Sequence, residues 1–436
     1  MTVNHLYPTT RPSLDLNFAR QKRLDPRVTF TRGSTATYVG DDGLIKTAAS
    51  NEARFDHDPA TGESLGLLVE EAKTNLVLES EDWGNTTYWY SNGNKGGLNN
   101  SSSKDYFIAT NNTTDVLSPD GANNAVKLTG DTSYTSSGFA LGRVNIVPKS
   151  ITLSQNTVYT FSLFVKDPNS VLDSNQKLWI IFGSAFSNTN GRAAFDLQNN
   201  VVTFAADYSN GSGSIESYPN GWKKLTATFA NTSSGGTPYI YIQEADNQSG
   251  PNTFSTNGES FYAFGFQIEQ AYFPTSYIPT SGSTVTRSAD VASMTGTNFS
   301  SFWNNNAGSV LFDGIPKTTT RLSDYWSAHN TGSRGYELYV NSSGTMYHYI
   351  NFGASILLNP ISAGTRYRVC SAFDTSSINS SVNGGSVISA SGVAATGIST
   401  FNIGKAYSGY TMNGHIARLT YYPTRLTDSQ LQELTR

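Results

Sequence analysis

The chain has 436 residues, 37% of them hydrophobic and only 14% charged, with a net charge of -4 at neutral pH. That length exceeds one ordinary hydrophobic core and points to two or three domains. The slightly acidic balance gives no basis for nucleic-acid binding, which needs clustered Lys and Arg. Cys370 is the only cysteine, so an internal disulfide and a cysteine metal cluster within one chain are excluded. With 23 Phe and 24 Tyr against 4 Met, aromatic residues must supply much of the core. Together with abundant Gly, Ser, Thr and Asn they favour short strands and turns over long helices, and the expected class is all-β. The opening MTVNHLYPTTRPSLDLNF lacks the basic end and apolar core of a secretion signal, and no apolar run is long enough to span a bilayer. The expectation is a protein made in a cytoplasm, with no membrane insertion.

Residues 1–75 carry most of the early charge, from Arg20, Lys22 and Arg23 to Glu70 and Glu71, with turn signals at Asp42-Gly43 and Thr61-Gly62. This composition predicts an extended leader of short strands, marginal alone and laid against a partner. Within it, 62–76 fits a helical turn and a strand equally well. Residues 76–290 form a first β unit, with strands expected at 125–128, 159–165, 178–182, 193–197, 223–229, 239–243 and 261–268. The Asn/Ser/Gly-rich stretch 91–114 reads as a surface loop. In FYAFGFQIEQ, residues 261–270, strict alternation predicts a strand with one face in a core, which Pro274 and Pro279 prevent from continuing. A connector over 280–294 leads to a second β unit at 296–436, with tight turns at Ser343-Gly344 and Asn383-Gly384. Thr427 and Gln430 have capping-box spacing, so a short helix should start near Asp428.

Three stretches carry a family likeness. LDLNFAR to EEAKTNL resembles the leader that precedes a jelly roll in tailed-phage virion surface proteins. NLVLESEDW, SPDGANNAVKLTGD, YTFSLFVKD, NGWKKLTATF and the closing GFQIEQAYFPTSYIPT to RSAD resemble the carbohydrate-binding-module-like jelly roll of those proteins. GTRYRV, FNIGKA and NGHIARLTYYPTRLTDSQLQEL look like the end of a laminin-G or concanavalin-A-like sandwich. The resemblance implies two β-sandwiches after an N-terminal attachment segment, in a tail fibre, head fibre or decoration protein. Its expected partners are other virion proteins, docked through residues 1–80, and host-surface glycan; a homo-oligomer is implied, with a trimer favoured. A structural calcium ion is the one cofactor such sandwiches commonly hold. Asp167, Asp173, Asp313 and Asp374 sit at expected strand ends, yet no ligand spacing singles any out.

Catalytic patterns are scarce. The E-x-D-x-x-E spacing of concanavalin-like glycosidases is absent, and Glu244 with Asp246 comes closest. Asp56 and Asp58 flank His57 as a metal-like fragment, for which a solvated turn before Pro59 is the favoured alternative. Cys370 follows Arg366 and Arg368 in strand alternation, and a core thiol is the plainer reading. No catalytic residue is assigned. What is left is sugar recognition by aromatic platforms: Trp83, Tyr88, Trp89 and Tyr90 beside the Asn-rich loop, and Trp303, Tyr325 and Trp326 in the second sandwich, each with a core position as its alternative. Trp222 is expected in the core. The function read from the sequence is non-enzymatic glycan binding on a virion surface. The alternatives are a polysaccharide-degrading virion enzyme and a structural spacer.

Overall fold

The computed structural model describes residues 7–91, 107–130, 143–168, 176–182, 192–204, 211–231, 238–244, 260–319, 322–330, 333–350, 354–392 and 395–436. Nearly all regular structure in them is antiparallel β, as the composition predicted. The chain divides into two compact units, but not in sequence order. One combines residues up to Asp41 with Thr47–Ala72 and Ser288–Arg436; the other takes Asp42–Lys46 and Lys73–Arg287. The second is thus inserted into the first.

In the discontinuous unit, an eight-stranded and a seven-stranded sheet enclose one core. The expected leader contributes to both sheets. Leu14–Leu16 pairs with Gly414–Tyr422, Ser64–Val69 pairs with the same C-terminal strand, and Thr29–Thr31 pairs with Val291–Thr295. Leu14, Leu16, Phe18, Leu67 and Val69 are buried in the core with Phe312, Trp326 and Tyr421. A separate attachment segment over 1–75 is therefore corrected: its alternating apolar residues fill the sandwich whose other strands lie more than 200 residues later. The second sandwich likewise begins earlier than residue 296, because Val291–Thr295 is a strand of its seven-stranded sheet. The stretch 62–76 resolves as strand, Ser64–Val69.

Buried charge ties the early residues in. Asp290 accepts from Arg32 Nη1 at 3.1 Å, Arg54 Nη2 at 2.5 Å and the Glu70 backbone N–H at 2.9 Å. Arg54 also reaches Glu70 at 2.9 Å, and all four side chains are fully buried. Asp56, expected in a solvated turn, instead accepts from the Val39 N–H at 2.6 Å and lies 2.7 Å from His415 Nε2. Burial opposes its ionisation, but the His415 hydrogen bond and charge outweigh this and hold its pKa below the ordinary value. Only Asp58 makes the turn, accepting from the backbone of Ala60 and Thr61. The terminal helix Asp428–Thr435 has the capping box read from Thr427 and Gln430, and its Leu431 and Leu434 pack with Leu311, Cys370 and Tyr422.

In the inserted unit, two six-stranded sheets face each other across a second core. The expected strands are found with ends shifted by a few residues, and Trp222 is buried as predicted. The strand Ser260–Glu269 departs from its alternation pattern, since every residue in it is buried. Its polar face is covered by the chain that follows. Gln267 Oε1 accepts from the Ile278 N–H at 2.6 Å, and Glu269 accepts from the Thr275 N–H at 3.1 Å. Gly265 makes room for this return: its φ is +64°, and a Cβ there would lie 3.1 Å from the Tyr277 ring.

Candidate functional site

The proposed sugar-stacking residues are mostly interior. Trp83 and Trp89 stack on each other at 5.0 Å inside the inserted unit's core. Trp303 stacks on Tyr421 at 4.7 Å, Tyr325 on Phe312 at 4.9 Å and Trp326 on Phe401 at 5.8 Å, all in the other core. A ring with no free face cannot stack on a sugar, so these five are corrected to packing residues. Tyr88 is half-buried and packs against the core. Tyr90 lies in the strand Trp89–Ser91, and its side chain is outside the described set. Of the other residues considered, Asp173 and Asp246 lie outside the described residues, and so does 92–106 of the Asn-rich stretch. Asp313 is engaged by Arg366 at 2.7 Å and Arg368 at 3.2 Å, and Asp374 by Arg425 at 3.2 Å. Cys370 is buried, and burial pushes its thiol pKa up rather than down.

A different aromatic surface emerges on the seven-stranded sheet. Strand alternation sends Tyr336, Leu338 and Val340 into the core, and Met346, His348 and Ile350 likewise. The intervening residues face outward. Register then aligns them in two rows across the strands. Asp324 lies opposite Tyr339, Tyr339 opposite Tyr347 and Tyr347 opposite Leu357. Beside this row run Asn402, Ser327, Glu337, Tyr349 and Ser355, again in register. Four strands span three inter-strand spacings, about 15 Å. The Tyr339 and Tyr347 rings are half-buried and stacked at 5.4 Å with an interplanar angle of 16°, and Leu357 is 54% exposed. The Arg334 guanidinium sits 5.7 Å from the Tyr349 ring.

Two carboxyl groups close this surface at one side. Glu337 and Asp324 are diagonal neighbours on adjacent strands, both almost fully buried. Arg334 Nε lies 3.4 Å from Glu337 Oε2, whereas Glu337 Oε1 and Asp324 Oδ1 have no hydrogen-bond partner. Burial, then the Glu337 charge, pushes the Asp324 pKa well above the ordinary carboxylate value; burial raises Glu337 too, against the opposing Arg334 charge. Neither acid stood out in the sequence: each is a lone charge in an apolar phrase, SDYWSAH and GYELYV, and only the strand register brings them together.

No protein-family model matches the chain, and no curated protein matches it significantly. Among solved structures, the carbohydrate-binding module of a Ruminococcus gnavus IT-sialidase is similar over 30% of this chain and 83% of its own, at 16% identity and a TM-score of 0.28. The CBM22-2 xylan-binding domain of Paenibacillus barcinonensis Xyn10C covers 45% of this chain and 98% of its own, at 13% identity and a TM-score of 0.25. The LG1-3 region of the laminin α2 chain covers 66% and 65%, at 10% identity and 0.23. These structures, too, carry β-sandwich domains; at such scores the likeness carries no argument about ligand or role.

Proposed function

We propose that this chain is a glycan-binding β-sandwich protein whose sugar platform is the outward face of the seven-stranded sheet. The observation that carries this reading is the in-register row Tyr339, Tyr347 and Leu357, with its two tyrosines stacked, flanked by the polar row from Asn402 to Ser355. Flat rings supply apolar area for a pyranose face, and the hydroxyls of half-buried Tyr349 and exposed Ser355 beside them supply directional partners. Titration of the full chain with a glycan panel tests it. Tyr339→Ala and Tyr347→Ala should each weaken binding about tenfold, equivalent to roughly 1.4 kcal/mol, without unfolding the sandwich. Undiminished binding in both variants would move the site elsewhere.

Display on a phage virion is a finer proposal, supported by the family resemblance of the leader and closing phrases. Because residues 14–69 are built into a sandwich, docking would use the exposed side of a folded unit. Antibody labelling of intact particles tests the location, and light scattering of the purified chain tests the proposed trimer. A second reading, cleavage of polysaccharide, is favoured by one observation: Asp324 and Glu337 are neighbouring carboxyl groups whose pKa values burial raises. Against it stands their burial, which leaves no room for a glycosidic oxygen and a water. New reducing ends or unsaturated products that disappear in Glu337→Gln would establish it.

A further inference from the structure

The tyrosine platform has a cation beside it, and that cation is placed by a break in strand alternation. In the strand Arg334–Val340, Tyr336, Leu338 and Val340 enter the core, and regular alternation would send Arg334 in after them. It does not go there. Ala328 pairs with Tyr336 but His329 with Arg334, so one step on the neighbouring strand spans two on this one, and Gly335 is the extra residue of a bulge. Glycine is required at this point: a Cβ on Gly335 would lie 2.4 Å from the Ala328 carbonyl oxygen and 2.3 Å from Ile398 Cδ1. The bulge turns Arg334 onto the outward face, where it meets Glu337 and Tyr349.

On that face the guanidinium is held but not used up. It stands 5.7 Å from the Tyr349 ring centroid, within cation–π range, and its Nε lies 3.4 Å from Glu337 Oε2. Among the described residues Nη1 and Nη2 make no hydrogen bond, and the side chain is 41% exposed. The two acids nearby do not cancel its charge, because burial holds both Asp324 and Glu337 toward their neutral forms. One guanidinium can in any case serve two carboxylates, as Arg54 does for Glu70 and Asp290. The Arg334 charge also reaches Tyr339, where it favours the ionised phenol against burial, which raises that pKa. Tyr349 is two residues from Tyr347 on one strand, about 7 Å, so a sugar lying against the Tyr339 and Tyr347 rings has the free edge of Arg334 within reach of a substituent.

We propose that Arg334 determines the specificity of the tyrosine platform and that the glycan it takes is acidic: a sugar seated against Tyr339 and Tyr347 presents its carboxylate to Nη1 and Nη2 of Arg334. This rests on the platform reading above and narrows its ligand class. The planar fork matches a carboxylate with two parallel N–H···O bonds. Tyr349 and Glu337 hold the fork in place beforehand, so little side-chain freedom is lost on binding.

The test is calorimetric titration of the full chain at pH 7 with two matched pairs, oligogalacturonate beside its methyl ester and sialyllactose beside lactose. In at least one pair the acid should bind at least tenfold more tightly than its neutral counterpart, by a margin that shrinks as salt rises. Arg334→Gln should bring the acid down to the affinity of the neutral sugar and leave the neutral sugar's own affinity unchanged, an outcome that a merely structural role would not produce. Arg334→Lys, which keeps the charge but loses the fork, should retain only part of the margin. Circular dichroism checks that each variant is folded. Tyr339→Ala and Tyr347→Ala should weaken acid and neutral sugar alike, so the two readings fail separately: if these variants bind undiminished the platform is wrong, and if they weaken binding while Arg334→Gln does not, only the acidic ligand is wrong. Acids that bind no better than their neutral counterparts, no binding of either acid, or a margin that persists in Arg334→Gln would each overturn the proposal.

Discussion

Asp290→Ala is the sharpest test of how the early chain is held. Asp290 is the shared acceptor of two buried guanidinium groups and one backbone N–H, at 3.1, 2.5 and 2.9 Å. Its removal leaves Arg32 and Arg54 facing only Glu70 among the four buried charges, and leaves the Glu70 N–H without its acceptor. Breaking a buried ion pair from one side costs about 3–5 kcal/mol, and an orphaned buried N–H adds roughly 1–3 kcal/mol. We expect a loss of about 4 kcal/mol or more. For a unit of roughly 200 residues each kcal/mol lowers Tm by about 2–4 °C, so the shift should be roughly 8–16 °C. Calorimetry measures it. Hydrogen exchange locates it: protection should fall in Leu14–Leu16, Ser64–Val69 and Gly414–Tyr422, and hold in Thr157–Lys166 of the inserted unit. A shift under about 2 °C, or lost protection mainly in the inserted unit, would refute the network as the tie between early and late strands.

Burial lowers the His348 pKa to about 3, so the folded state refuses a proton that the unfolded chain accepts near 6.5. Its contribution is full above the unfolded value and is lost as pH falls toward the folded one, about 2 kcal/mol by pH 5. Urea midpoints should show this acid sensitivity reduced in His348→Phe; an unchanged pH slope would contradict it. Asp324 has the opposite sign. Its raised folded pKa gives stability that is present at low pH and lost as pH rises through that value, so Asp324→Asn should gain on the native chain as pH rises from 5 to 8. A native chain that is the more stable at pH 8 would reject that assignment. Gly265→Ala combines a left-handed backbone with a Cβ pressed on the Tyr277 ring and should cost about 2 kcal/mol in the inserted unit, read as a lower melting temperature.

The sequence by itself determined the local elements. Alternation located Thr157–Lys166, Lys223–Asn231 and Ser260–Glu269 within a few residues, and capping chemistry located Asp428–Thr435, because strand period, turn residues and helix caps act between near neighbours in the chain. Tertiary structure decided which faces were buried and which strands became neighbours. Pairing of Leu14–Leu16 with a strand 400 residues away turned an apparent leader into part of a core. The return of Thr275–Ile278 buried the second face of a strand that alternation had left open to solvent. For the site, residue type misled: conspicuous tryptophans were interior, while Tyr339, Tyr347, Asp324 and Glu337 stood out only once register set them side by side. A strand's period fixes that its side chains take two faces; which face meets water depends on what packs against it, and that information lies elsewhere in the chain.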